Sequence, residues 1–284
     1  MADKIQEDLE REIADLERQL RDAKDLLKHA NPSDTYEEYS PSTHALLLLS
    51  DSALPLGSFA YSSGLESYIA HHKLLTSVSP VASFHRFFGL SISSLASTSL
   101  PYLLNAYRHP KHLETLDNDL DASTPCVVAR RASIAQGRAL LGVWERAFRE
   151  SFTGSADDPT IKAVSAIQAF SEALKFNADE LGPNGHLAPL WGVICLGMRI
   201  ELSQAAYIFV LNHAKALVSA AVRASIMGPY QAQRVLASVS LQELIRERIK
   251  LEWETLPEQA GQVAPVLDLW LGRHELLYSR IFNS

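Results

Sequence analysis

The chain has 284 residues, 47% of them hydrophobic and 21% charged, with a formal net charge of −7. That length and composition suit a globular protein with a sizeable core, and the acidic balance argues against a general nucleic-acid binder, which presents a basic face. The two cysteines, Cys126 and Cys195, lie far apart without a C-x-x-C partner, so they read as buried thiols rather than a disulfide or a zinc site.

The first ten residues are charged and acidic, unlike a secretory leader or an acid-poor transit peptide, so the expected location is the cytoplasm. From Asp3 to His29, the residues Leu9, Ile13, Leu16, Leu20, Ala23 and Leu27 alternate at spacings of four and three. This predicts one amphipathic helix with a heptad seam of about three repeats, helped by the i, i+4 pairs Glu7 with Arg11 and Glu17 with Arg21. So short a seam is marginal alone, and it either pairs with another chain, lies against the body or stays a solvated helix. The expected organisation is a heptad helix over 1–30, a polar linker over 31–42 after Asn31-Pro32, and one domain over 43–284.

Two helices are expected to meet at Ser50 to Glu66, SDSALPLGSFAYSSGLE. The apolar block Ala45 to Leu49 precedes it, and Ser63 and Glu66 have the spacing of a capping box, which would make Glu66 a cap of the second helix. Pro55 fixes its own φ and turns Leu54 away from helix, while Gly57 opens backbone angles that a Cβ resists. Asp51, Pro55, Gly57, Gly64 and Glu66 therefore read as a structural motif. The serines beside Asp51 suggest a catalytic loop, but a nucleophile also needs a base and aimed donors. The sequence has no G-x-S-x-G elbow or S-x-x-K motif, and His71-His72 lie a helix away.

Downstream, Ser79-Pro80, Thr124-Pro125 and Asp158-Pro159 each set an N-cap residue before a proline, which the first helical position tolerates. Each precedes apolar residues at helical spacing, such as Val81, Phe84, Phe88 and Ile92, and long alternating strand patterns are lacking. The fold class expected is all-α, a single helical-bundle-like domain. The region Leu202 to Val222 carries Gln204, Asn212, His213 and Lys215, a polar load that favours a buried core helix over a membrane span. Gly228-Pro229 closes that region, and another amphipathic helix is expected from about Tyr230 to Trp253. Loops are expected at Asn118–Thr124, Ser151–Asp158, Asp179–His186 and Thr255–Pro265.

Histidine is the candidate metal ligand, but His71-His72 and the pair His109 and His112 have no H-E-x-x-H pattern or carboxylate cluster to complete a set, so no metal site is assigned. There is no G-x-x-x-x-G-K-[ST] loop, which removes P-loop nucleotide chemistry. Arg131, Arg138, Arg146 and Arg149 share a helix with Trp144 and Phe148, a composition that fits either an interface or a solvated surface. Gln204, Asn212 and His213 either line a small-molecule cavity or pair with neighbouring helices. The closing residues His274, Glu275, Leu277, Tyr278, Arg280, Ile281 and Phe282 are unusually apolar and aromatic for a chain end, and must bury against the body or a partner.

The Ser50–Glu66 loop, RASIAQGRAL over Arg131 to Leu140, the run His186 to Leu236 containing SAAVRASIMGPYQAQ, and the closing HELLYSRIFNS together resemble the urease accessory protein F (UreF) family. They follow the family's order over most of the chain after the linker, with Ser58 standing where the family pattern has a second glycine. The resemblance implies a non-catalytic adaptor linking the GTPase UreG to the UreD/UreH accessory protein on apo-urease during nickel insertion. It implies that nickel and GTP are handled by the complex, with no cofactor stably bound by this chain, and that the chain forms a homodimer. It also implies partner-docking roles for Tyr278, Arg280 and Phe282 and tilts Arg131 and Arg138 towards an interface. Two readings from other classes stand beside it: a helical enzyme with a buried small-molecule pocket, and an oligomerisation scaffold built on the heptad.

Overall fold

The computed structural model describes residues 13, 15–20, 40–72, 79–152, 158–176 and 182–283. The chain divides into two compact units, Met1–Ser40 and Pro41–Ser284. In the first, residues 13 and 15–20 are helical, Arg18 pairs with Asp15 at 3.8 Å, and the seam residues Ile13, Leu16 and Leu20 are exposed. The other seam positions and both expected i, i+4 pairs lie outside the described residues.

The second unit is built from helices, with no strand among the described residues. In chain order they are α1 (Pro41–Ser50), α2 (Leu65–His72), α3 (Pro80–Arg108), α4 (Leu113–Ser123), α5 (Val127–Val143), α6 (Arg149–Phe152), α7 (Asp158–Phe176), α8 (Leu187–Gly197), α9 (Leu202–Arg223), α10 (Pro229–Leu236), α11 (Val239–Glu252) and α12 (Val266–Arg273). A π-helical turn, Trp144–Phe148, joins α5 to α6. The all-α class follows from the local chemistry. Ser79 accepts the Ala82 N–H at 3.2 Å with Pro80 at the first turn of α3, the arrangement its sequence predicts.

The core is organised on α3 and α8. Almost every residue of α8 is buried, and it is flanked by α3, α4, α5, α7 and α9. Gly192 sets the α3–α8 distance, because a Cβ there would stand 2.3 Å from the Leu103 carbonyl oxygen. Gly137 does the same for α5, where a Cβ would meet the Gly185 oxygen at 2.2 Å. Trp144, Trp191, Phe84, Phe87 and Phe170 fill the interior, each such ring stabilising by roughly 1.5–3 kcal/mol through burial. Cys195 is fully buried, and burial pushes its thiol well up. Helices α3 and α9 are long and apolar enough to cross a membrane, yet their apolar windows are 67% and 56% buried within the body, as core helices are.

Three expectations are corrected. The segment Asn118–Thr124 is not a loop, since α4 runs to Ser123 with Leu113, Leu116 and Leu120 buried along one face. Thr124 does not cap α5. That helix starts at Val127, and the Thr124 hydroxyl donates back to the Leu120 carbonyl at 2.7 Å, closing α4 instead. The expected helix from Tyr230 to Trp253 is two helices, broken where Ser238 donates to the Val235 carbonyl at 2.7 Å and accepts the Leu241 N–H at 3.3 Å. A serine that satisfies the end of one helix and the start of the next can break a pattern that periodicity alone would carry through.

Candidate functional site

The loop after α1 is held at its base by α9. The Asn212 amide donates to the Leu49 carbonyl at 2.9 Å, and the Lys215 ammonium bonds the Ser50 carbonyl, so both capture free carbonyls at the end of α1. Burial lowers the Lys215 pKa, with the Asp51 carboxylate acting in the opposite sense. Asp51 turns the chain by accepting the Ala53 N–H at 2.9 Å. Gly57 has φ +72°, the left-handed conformation its identity predicts. Ser58, at the position of the pattern's second glycine, sits in a turn of 3₁₀-helix outside the left-handed region, and its hydroxyl donates to Gln136 Oε1 at 2.8 Å on α5.

The start of α2 differs from the expected capping box. Ser63 and Gly64 have φ +51° and +85°, so Ser63 cannot serve as an extended N-cap. The Ser62 hydroxyl takes the Glu66 N–H instead, at 3.3 Å. The missing Cβ of Gly64 lets α12 approach, with Leu271 N at 3.2 Å from where that Cβ would be. This brings the end of α12 over the first turn of α2 and puts the Glu66 carboxylate to a use that its spacing does not suggest. It accepts His274 Nε2 at 2.8 Å, Ile281 N–H at 2.7 Å and Phe282 N–H at 3.2 Å. Glu66 is a clasp for the C-terminal tail, not a helix cap. Its position in the first turn of α2 also suits a carboxylate electrostatically.

The tail is thereby pinned along its length. His274 is wholly buried, and its Nδ1 has no hydrogen-bond partner. Glu275 accepts from Arg131 at 2.6 Å, and this hydrogen bond and the guanidinium's charge hold its carboxyl below the usual range. The Phe282 ring is 4% exposed, with the Arg223 guanidinium 4.3 Å from its centre, and Asn283 N–H donates to the Ala60 carbonyl at 2.8 Å. Between these anchors Leu276 and Ile281 are exposed at 78% and 60%, and Tyr278 is fully so. Phe59, on the loop that receives Asn283, is also exposed. The five tail and arginine residues singled out by sequence thus divide. Tyr278 and Arg280 face outward, Phe282 anchors in the body, and Arg131 holds the tail through Glu275. Arg138 lies elsewhere, donating to the Asn184 carbonyl at 2.8 Å. Trp144 is 1% exposed and belongs to the core, which removes it from any surface patch with the arginines.

Sequence reasoning missed a second polar cluster. The buried Asp117 carboxylate receives the N–H groups of Asn184, Gly185 and His186 at 2.5 to 3.1 Å. The His186 ring then bridges Ser133 Oγ at 3.0 Å and Asp121 Oδ1 at 3.1 Å. Ser133 also accepts the Leu187 N–H at 3.3 Å, so the cluster organises the start of α8. A cavity of about 350 Å³ lies between α3, α5, α9 and the Ser50–Glu66 loop, lined mainly by apolar side chains such as Leu54, Phe59 and Leu95, with serine and threonine hydroxyls, Asn212 and His213 among them. Gln204 faces a separate groove with Tyr207 and Trp253. His213 is partly buried, with Nε2 2.9 Å from Ser91 Oγ, and desolvation pushes its pKa down to about 4, so it is neutral at pH 7. No group of three or more His, Cys, Asp or Glu able to hold a metal occurs among the described residues. His109 and His112 stack at 5.8 Å on the surface, and His71 Nδ1 lies 2.7 Å from the Ser67 carbonyl oxygen of its own helix.

The UreF family model matches residues 78–240, more than half of the chain. An uncharacterized urease accessory protein UreF-like of Schizosaccharomyces pombe is 36% identical over 242 residues, covering 85% of this chain and 97% of that protein. Urease accessory protein F of Arabidopsis thaliana is 33% identical over 83% of this chain and 90% of its own length. The UreF of the bacterium Paenarthrobacter aurescens is 29% identical over 84% and 97%. The chain belongs to the UreF family of urease accessory proteins, a family of accessory factors and not of enzymes.

Proposed function

We propose that this chain is a soluble cytoplasmic adaptor that joins the GTPase UreG to a UreD/UreH-type protein on apo-urease while the nickel centre is assembled. The observation that carries this reading is the pinned tail. Tyr278 stands fully exposed between two anchored ends, flanked by exposed Leu276, Arg280 and Ile281. Aromatic and arginine side chains held in one geometry are the usual anchors of protein interfaces. The UreD/UreH-type protein is the partner assigned to this surface. Nickel is cargo and GTP belongs to UreG, so the assembled complex handles both. The adaptor acts as a homodimer, which the apolar groove of partly buried Leu46, Tyr207, Ile249 and Trp253 suits.

Complementation tests the role. The chain is expressed, with its cognate UreD/UreH-type protein and UreG, in a host that lacks its own UreF, and urease activity is scored with nickel supplied. Restored activity is the expected result. Soluble chain, cognate partners present and no urease activity would contradict it.

A further inference from the structure

Helix α3 carries a glycine that its own packing does not call for. Gly89 lies in the interior of α3, well inside Pro80–Arg108, and glycine is among the poorest formers of a helix interior. Gly137 and Gly192 each make room for a neighbouring backbone, but a Cβ on Gly89 would meet nothing within 4 Å. The open space is a groove of about 410 Å³ beside α10 and α11. Phe88, Val235 and Leu241 form its buried floor, and His85 and Arg234 line it as exposed side chains. No carboxylate lines the groove, although the chain has a net charge of −7. Arg234 makes no ion pair or hydrogen bond among the described residues.

We propose that this groove is a docking site for an acidic amphipathic helix of a partner protein. An aliphatic side chain of that helix seats over Gly89, where the missing Cβ lets the two backbones approach, and its flanking carboxylates bond Arg234 and His85. The apolar floor supplies the burial that drives helix-in-groove association. An arginine fork meets a carboxylate through two parallel hydrogen bonds, which fixes orientation as well as charge. In a chain dominated by acidic residues, an acid-free wall that holds an unpaired arginine selects a negative partner and disfavours a basic one. The poor helix former is then retained for binding rather than for folding. The groove shares no residue with the tail or with the groove of Leu46 and Trp253, so its failure and that of docking at Tyr278 are separate results.

The test uses the full chain and a synthetic amphipathic helix about four turns long, with leucines along one face and glutamates flanking them. A second peptide has lysine at every glutamate. Calorimetry measures binding and NMR locates it. The acidic peptide should bind and shift the Gly89 and Leu241 amides, and the lysine peptide should bind about tenfold more weakly. No binding, equal binding of the two, or shifts confined to other surfaces overturns the site. Gly89→Ala should raise the melting temperature, because alanine is the better helix former and has room, yet weaken the acidic peptide about threefold. Unchanged affinity in that variant overturns the role of the bare backbone. Arg234→Glu should reverse the preference between the peptides; a preference left as in wild type overturns the charge match. Gly89→Leu should leave the sedimenting mass unchanged, and a fall in mass would assign the groove to a second copy of the chain and overturn the proposal.

Discussion

The α3–α8 crossing and the C-terminal strap are held by opposite means. At the crossing, two helices meet so closely that Gly192 has no room for a methyl group, and both faces are sealed from solvent. On the strap, most side chains are exposed and a few contacts, those of Glu66, Glu275, Phe282 and Asn283, fix the path. Close packing tolerates no change of shape and gives the body its stability. A few charge-assisted hydrogen bonds fix a shape while leaving side chains free to meet another protein. On the proposed reading, the difference separates what folds the chain from what it offers to a partner.

Substitution at the crossing should show the largest effect. Gly192→Val drives its Cβ into the Leu103 carbonyl, which is backbone and cannot swing aside. It should destabilise by about 3 kcal/mol or more, read as a fall in the denaturation midpoint; a variant as stable as wild type would mean that the helices are not so tightly apposed. Acid probes the interior next. The His213 pKa falls from 6.5 to about 4 on burial, so the unfolded chain binds the extra proton between these values and stability drops as pH is lowered through that window. The histidine contributes about 3 kcal/mol of that loss, and His213→Gln should flatten the stability curve between pH 6.5 and 4. On the strap the effects are local. Arg131→Ala should leave the melting temperature unchanged yet return the Glu275 carboxyl towards its ordinary range, followed by NMR titration. A large thermal shift would place Arg131 with the core instead.

What could be read from sequence followed the range of the interaction. The Ser79-Pro80 start of α3 was legible because cap and recipient are three residues apart. Gly57 was legible because a left-handed turn is a demand of the residue itself. Thr124 was misread as a cap and the break at Ser238 was missed because a short hydroxyl satisfies either end of a helix. Glu66 was the hardest case. Its spacing from Ser63 fits a local cap, whereas its partners His274 and Ile281 lie 208 and 215 residues downstream. The positive φ of Ser63, which rules out the local role, has no signature in a single sequence. The tail was recognised as unusual from its composition, but composition could not divide Phe282, turned into the body, from Tyr278, turned out.

The central claim is that the strap, and Tyr278 on it, is where the UreD/UreH-type partner docks. The most direct measurement is a calorimetric titration of that cognate partner with the full chain and with Tyr278→Ala, alongside thermal unfolding of both. Because Tyr278 is wholly exposed, the account predicts identical melting temperatures and an affinity loss of about 2 kcal/mol, roughly thirtyfold. Equal affinities for the two chains would contradict it.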